Sequence, residues 1–166
     1  MSLSNFKLID KIGEGAYSTV YKVIWKDDTK FYALKKVKMS NLSEKEKLNA
    51  LNEVWILASI NNEFVISYKE AFIDESSSSL CIIMEYADNG DLFQKIKKHQ
   101  KLQVFIKEEV IWKIFMAVLV GLRALHSLKI MHWDLKSANV FLFKDGRAKL
   151  GDLNVSKIAK AGLGYT

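Results

Sequence analysis

Short runs of alternating apolar and polar residues fill the first forty positions. Phe6-Lys7-Leu8-Ile9, Val20-Tyr21-Lys22-Val23-Ile24-Trp25 and Phe31-Tyr32-Ala33-Leu34-Lys35 are separated by Gly13-Glu14-Gly15-Ala16 and Lys26-Asp27-Asp28-Thr29. A two-residue period broken by turn formers predicts an antiparallel meander of three strands. From Ser43 the period lengthens. Leu48, Leu51, Val54, Trp55, Leu57 and Ala58 recur at three and four, the signature of an amphipathic helix. Ser43 is its expected N-cap, and Glu46 completes a capping box. Two further strands are expected over 65–72 and 80–86, around the polar loop 74–79. Asp88-Asn89-Gly90-Asp91 then breaks the pattern, which divides the chain into domains 1–87 and 88–166. A short helix over 92–98 and a long one over 108–127 follow, then short strands and loops from Ile130. The long helix is apolar on nearly every side, with Val110, Ile111, Trp112, Ile114, Phe115, Met116, Val118 and Leu119 in succession. Such a helix is expected to be buried all round. The pattern as a whole is that of an α+β fold.

Composition narrows the function classes. The chain has 166 residues, 49% apolar and 27% charged, which excludes a disordered tail, a collagen-like repeat and a disulfide-stapled miniprotein. The single cysteine, Cys81, leaves no intrachain disulfide and suits a reducing compartment. In the most apolar region the longest uncharged stretch, 114–122, is nine residues. That is short of the roughly 20 that span a bilayer, and the first residues carry no apolar signal core. A soluble, intracellular, cytoplasmic protein without membrane insertion is expected. The net charge of +6 comes almost wholly from lysine, the only arginines being Arg123 and Arg147. Sequence-specific nucleic-acid readers lean on arginine, and these lysines are dispersed apart from Lys95, Lys97 and Lys98. A solvated surface and no nucleic-acid partner are the expectation.

Four segments carry chemistry. Gly13-Glu14-Gly15-Ala16-Tyr17-Ser18-Thr19-Val20 is a glycine-rich turn between strands. It is either a plain hairpin turn or a loop whose amides face phosphate oxygens. Lys35 shares a strand face with Ala33, and Glu53 is a carboxylate among apolar neighbours on the predicted helix. The octet His132-Trp133-Asp134-Leu135-Lys136-Ser137-Ala138-Asn139 puts a carboxylate, an ammonium and an amide at fixed spacing. Those groups could orient a hydroxyl, hold a phosphate and ligate a hard cation. Asp152, in Gly151-Asp152-Leu153-Asn154, is a second oxygen ligand.

In this order the segments resemble the signature set of eukaryotic-type serine/threonine protein kinases. The phrasing Met84-Glu85-Tyr86-Ala87, Asn139-Val140-Phe141-Leu142 and Asp152-Leu153-Asn154-Val155-Ser156-Lys157 further resembles the NIMA-related branch. The resemblance implies a two-lobe fold, with a sheet and one helix in the small lobe and a mainly helical large lobe. It implies ATP and Mg2+ as cofactors and serine or threonine of protein substrates as phosphate acceptor. Gly13 and Gly15 would form the phosphate loop, and Ile12, Val20, Ala33 and Phe141 would sandwich the adenine. Backbone groups of Glu85 and Ala87 would bond the adenine edge, with Met84 behind it and Asp91 at the ribose. Lys35, paired to Glu53, would hold the α- and β-phosphates. Asn139 and Asp152 would bind the metal. Asp134 would orient the substrate hydroxyl, with Lys136 near the γ-phosphate.

The chain also departs from the family pattern. Ser18 stands for the third glycine and keeps that position small. Trp133 replaces the arginine that usually precedes the catalytic aspartate, so a phosphorylated activation segment has no guanidinium to pair with there. Leu153 and Asn154 stand where phenylalanine and glycine are usual. The sequence stops at Thr166, inside the expected activation segment, so a partial catalytic domain is expected, with part of the long helix unpartnered. The alternative reading is a nucleotide-binding, pseudokinase-like scaffold or an inactive fragment. Cytoskeletal association follows from family analogy alone.

Overall fold

The computed structural model describes residues 1–15 and 17–153 together with the backbone of Lys157–Ile158; the side chains of Asn41 and Glu53 lie outside it. The chain divides into two compact units, one of residues 1–59 and 67–86, the other of residues 60–66 and 87–166.

The first unit is built on five antiparallel strands: β1 (Phe6–Glu14), β2 (Ser18–Trp25), β3 (Phe31–Lys38), β4 (Tyr68–Asp74) and β5 (Ser79–Glu85), in the order β1-β2-β3-β5-β4. Alternation sorts their side chains. Phe6, Val23, Leu34 and Ile83 form a buried cluster, with Trp25, Tyr32 and Phe72 packed against it. The Phe6 and Phe72 rings stack at 6.1 Å, and Trp25 meets Tyr32 edge-on at 5.7 Å. Lys35 and Ala33 alternate with Leu34 and so belong to the opposite face, opposite Val20 and Lys22 of β2 in register. The β2–β3 turn is closed by Tyr32, whose hydroxyl donates to Asp28 Oδ2 at 2.6 Å. Burial, and then that carboxylate, push the Tyr32 phenol up to about 12.

Helix α1 (Glu44–Ser59) rests on β4. Its capping box is present: Glu46 Oε2 accepts from the Ser43 amide and hydroxyl at 2.8 and 2.7 Å, and the Glu46 amide donates to Ser43 Oγ at 3.4 Å. The expected apolar stripe is buried only in part. Ile56 and Leu57 are buried, whereas Leu48 and Trp55 are 59% and 74% exposed. A helix lying on one strand covers only a narrow stripe, so the outer part of a wide apolar face stays in water.

The second unit holds helix α2 (Leu92–Leu102), helix α3 (Glu108–Ser127) and the short strands β6 (Ile130–Met131), β7 (Val140–Leu142), β8 (Ala148–Leu150) and β9 (Lys157–Ile158), paired β6–β9 and β7–β8. Residues 65–67, expected to open a strand, stay outside β4. The Leu150 amide donates to the Phe64 carbonyl at 2.8 Å and the Ile66 amide to the Leu150 carbonyl at 2.7 Å, so β8 takes this segment's backbone bonds. Helix α3 packs on β8 through Ile114, Ala117, Gly121 and Leu125. Gly121 permits the approach, because a Cβ there would lie 2.9 Å from the Phe64 carbonyl oxygen and 3.0 Å from Leu150 Cδ1. The opposite side of α3 is open. Ile111, Trp112, Phe115, Met116 and Leu119 are all exposed, against the expectation of burial all round. By length and composition α3 could cross a membrane, which the uncharged-run reading did not anticipate. Its packing on β8 accounts for Ile114, Ala117, Gly121 and Leu125, and not for the exposed apolar residues on its other side.

Candidate active site

In the first unit the glycine-rich turn is a hairpin connection. The Gly15 amide donates to the Ser18 carbonyl at 2.7 Å, and Gly13 pairs with Val20 across β1 and β2. That leaves the Gly15 N–H engaged within the turn. Lys35 is only 6% exposed, in register with Val20 on one side and Ile82 on the other. A buried ammonium requires compensating partners. Glu53 falls on α1, but its side chain is outside the described atoms, so the expected Lys35–Glu53 pair is as well. Ala33 pairs with Met84, and Tyr32 with Glu85. The Glu85 amide already donates to the Ser67 carbonyl at 2.9 Å, and its Oε2 accepts from the Ser67 amide at 3.2 Å. Ile12 is 45% exposed, while Val20, Ala33, Met84 and Glu85 are half-buried.

In the second unit the 88–91 segment is tied to β7. The Asn89 amide donates to the Leu142 carbonyl, the Leu142 amide returns a bond to the Gly90 carbonyl, and Asp91 bridges Phe141. Asp91 also caps α2, its Oδ1 accepting from the Gln94 amide at 2.8 Å. A capping role is thus one the sequence reading did not assign to Asp91. Ala87 lies at the start of this unit and is half-buried.

The octet folds into a compact polar constellation. Lys136 Nζ lies 2.6 Å from Asp134 Oδ2. Asn139 Nδ2 donates twice to Asp134, to its carbonyl at 2.8 Å and to Oδ2 at 3.1 Å. The Lys136 ammonium, then the Asn139 amide, hold the Asp134 carboxyl below its ordinary range, and the carboxylate in turn raises the Lys136 ammonium. With its Nδ2 committed to Asp134, Asn139 has Oδ1 as the oxygen to offer a cation. The Gly151 amide donates to the Asn139 carbonyl at 3.0 Å, placing Asp152 next to Asn139 along the chain path. Buried His132 bonds the Gly151 carbonyl through Nε2 at 3.2 Å and accepts the Asp134 amide through Nδ1 at 3.4 Å. One imidazole therefore couples the two segments, a role the sequence reading did not assign. Its flank of apolar residues, Ile130 and Met131, was the available signal. Gly151 is required by packing: a Cβ would lie 2.7 Å from the Phe141 ring and 2.9 Å from Ile66 Cγ1.

Trp133 and Asp152 both have left-handed backbones, with φ of 59° and 55°. The Asp134 amide reaches the His132 carbonyl at 2.8 Å, which closes a three-residue turn on Trp133. The Trp133 ring is 71% exposed, so packing does not explain the indole. Leu153 is buried at 1% exposure, and Asn154 lies outside the described residues. Among the described residues no three His, Cys, Asp or Glu side chains gather as a metal cage. One carboxylate and one amide suit Mg2+, which keeps waters and takes substrate phosphates as ligands.

An antiparallel five-stranded sheet with a buried lysine, and a loop that holds an aspartate between a lysine and an asparagine, are arranged in the order expected of a protein kinase. Residues 6–166 match the protein kinase domain, and the chain belongs to that family. Its relatives place it in the Nek, NIMA-related, branch. It is 32% identical over 164 residues to serine/threonine-protein kinase Nek6 of Oryza sativa subsp. japonica, covering 99% of this chain and 30% of that protein. It is 35% identical to the probable serine/threonine-protein kinase nek2 of Dictyostelium discoideum, covering 97% of this chain and 39% of the relative. For serine/threonine-protein kinase Nek1 of Mus musculus the figures are 34% identity, 94% and 13%. The chain thus spans well under half the length of these relatives.

Proposed function

We propose that the protein transfers the γ-phosphate of ATP to serine or threonine hydroxyls of protein substrates. The observation that carries this reading is Asp134, ionised and held by Lys136 and Asn139. A carboxylate this acidic is a weak base. Its work is to accept the substrate hydroxyl's hydrogen bond and aim the oxygen, taking the proton late, as charge leaves that oxygen. Lys136 stabilises charge developing on the transferred group, and Lys35 holds the α- and β-phosphates. Asn139 and Asp152 are the residues to hold Mg2+, which when bound neutralises phosphate charge. The unit of residues 1–59 and 67–86 is the ATP-binding lobe, with Gly13, Gly15, Ile12, Val20, Ala33 and Met84 around the nucleotide. Glu85, Ala87, Asp91 and Phe141 supply adenine and ribose contacts, with Glu85 using its carbonyl because its amide is taken. Catalysis is then mostly positioning and electrostatics. A cytoplasmic location suits ATP use and a buried Cys81 thiol, which burial raises to about 11.

The test is phosphate transfer from radiolabelled Mg-ATP to a serine-containing protein substrate. Transfer that disappears in Asp134→Asn and Lys35→Met is expected. Mg-ATP binding by thermal shift without Asp134-dependent transfer overturns the enzyme reading and makes the chain a nucleotide-binding scaffold.

A further inference from the structure

Cross-strand register sets Lys22, Ala33 and Met84 in one row of the sheet, and Val20, Lys35 and Ile82 in the next row on the same face. Ala33 and Met84 belong to the adenine side of the proposed nucleotide site, and Lys22 stands at the β2 end of their row. Its side chain is built into a contact. Lys22 Nζ lies 4.2 Å from the centre of the Phe31 ring and 4.9 Å from that of Tyr86, and the two rings are 6.2 Å apart. Both approaches are within the roughly 6 Å reach of a cation–π attraction. Phe31 opens β3, and Tyr86 follows Glu85, where the β3–β5 ladder ends on the pair Tyr32–Glu85. One ammonium thus ties β2, the start of β3 and the chain just past β5. Phe31 is 49% exposed, and Lys22 and Tyr86 are half-buried, so the contact lies at the edge of the sheet and outside the buried cluster.

We infer that Lys22 is a positioning residue for adenine binding: its ammonium holds the Tyr86 ring beside Phe31 and so fixes the backbone at Glu85. The inference rests on the kinase reading, in which the adenine edge bonds the Glu85 carbonyl. Ser67 already holds Glu85 from the β4 side, through the Glu85 amide at 2.9 Å and its carboxylate at 3.2 Å. Lys22 holds the next residue from the β2–β3 side, beyond the last ladder pair. A carbonyl fixed from both sides receives its ligand with little further loss of conformational freedom. Lys22 touches none of the reacting atoms. Its contribution is therefore the same in ground and transition states, and belongs in KM for ATP and not in kcat.

The test measures kcat and KM for ATP in the phosphate-transfer assay, with the affinity for a fluorescent ATP analogue as a second readout, on the 166-residue chain and its variants. Lys22→Met keeps the apolar stem and removes the charge. It should raise KM and weaken the analogue by roughly three- to tenfold, the range of one or two cation–π contacts, with kcat and the KM for the protein substrate unchanged. Lys22→Arg should restore both values, because a guanidinium also stacks on aromatic rings. Phe31→Leu should reproduce the defect of Lys22→Met, and the double variant should be no worse than the poorer single one, as for partners in one contact. Parental KM and affinity in Lys22→Met, or no recovery in Lys22→Arg, overturns the inference. A defect in Lys22→Met that Phe31→Leu does not share overturns it in favour of direct contact between the ammonium and the nucleotide. A fall in kcat at constant KM overturns it in favour of a role in the chemical step. In each of these cases the parent still binds ATP and the kinase reading stands. A parent that neither binds nor uses ATP overturns that reading and this inference with it.

Discussion

Asp134 draws its chemistry from neighbours within five residues of chain. Lys136 and Asn139 both favour its charged form, so the carboxyl titrates below its ordinary value. Replacing Lys136 by methionine removes the largest of those influences, and the pKa of Asp134 must then rise. Protonation will set in at higher pH on acidification, so the acid limb of the kcat profile should shift upward in Lys136→Met. The rate on the plateau should also fall, by roughly 10²-fold, as when one preorganised charge donor is removed. A pH–rate series on both proteins checks both, with an unmoved acid limb counting against Asp134 as the titrating group. This part of the site was legible in the sequence because its members sit two and five residues apart. Trp133 was legible as a departure, but its left-handed backbone was not. A bulky L-residue pays roughly 1–2 kcal/mol there, and nothing local in the sequence demands it.

At the scale of elements, glycine placement decides how closely α3 approaches β8. Alanine is the better helix former by about 1 kcal/mol, so helix propensity alone predicts that Gly121→Ala stabilises. The added Cβ, however, would lie 2.9 Å from a backbone oxygen and 3.0 Å from fully buried Leu150. Overpacking of that kind costs about 1–3 kcal/mol. Gly121→Ala should therefore unfold at lower denaturant concentration than the parent, with an unchanged slope. A higher midpoint would show that the helix shifts freely. The capping box at Ser43 and the strand periods were readable because both are local. Which stripe of α1 is buried was legible only in part: Leu57 belongs to the expected stripe and is buried, but Leu48 and Trp55 satisfy the helical period equally and stay exposed. Burial there depends on where β4 lies.

For the whole molecule the exposed side of α3 carries the largest consequence. Trp112 and Phe115 meet edge-on at 5.8 Å, with Ile111, Met116 and Leu119 also in water. Contiguous apolar surface of this kind promotes association. Trp112→Lys combined with Met116→Lys should lower light scattering of the 166-residue chain at high concentration and leave its melting temperature unchanged within a degree or so, because exposed side chains contribute little to stability. A lower melting temperature without any fall in scattering would show that this face belongs to the folded core.

The order of strands and helices along the chain and the polar octet follow from the sequence itself. Each depends on period or spacing over a few residues, where backbone geometry leaves little choice. Tertiary structure decided the rest: that β8 takes the backbone bonds of residues 64–66, that His132 couples Asp134 to Gly151, and which side of α3 packs on β8. Each of these joins groups far apart in the chain or sets the shape between elements. Packing and hydrogen-bond satisfaction settle them, and no local pattern encodes either.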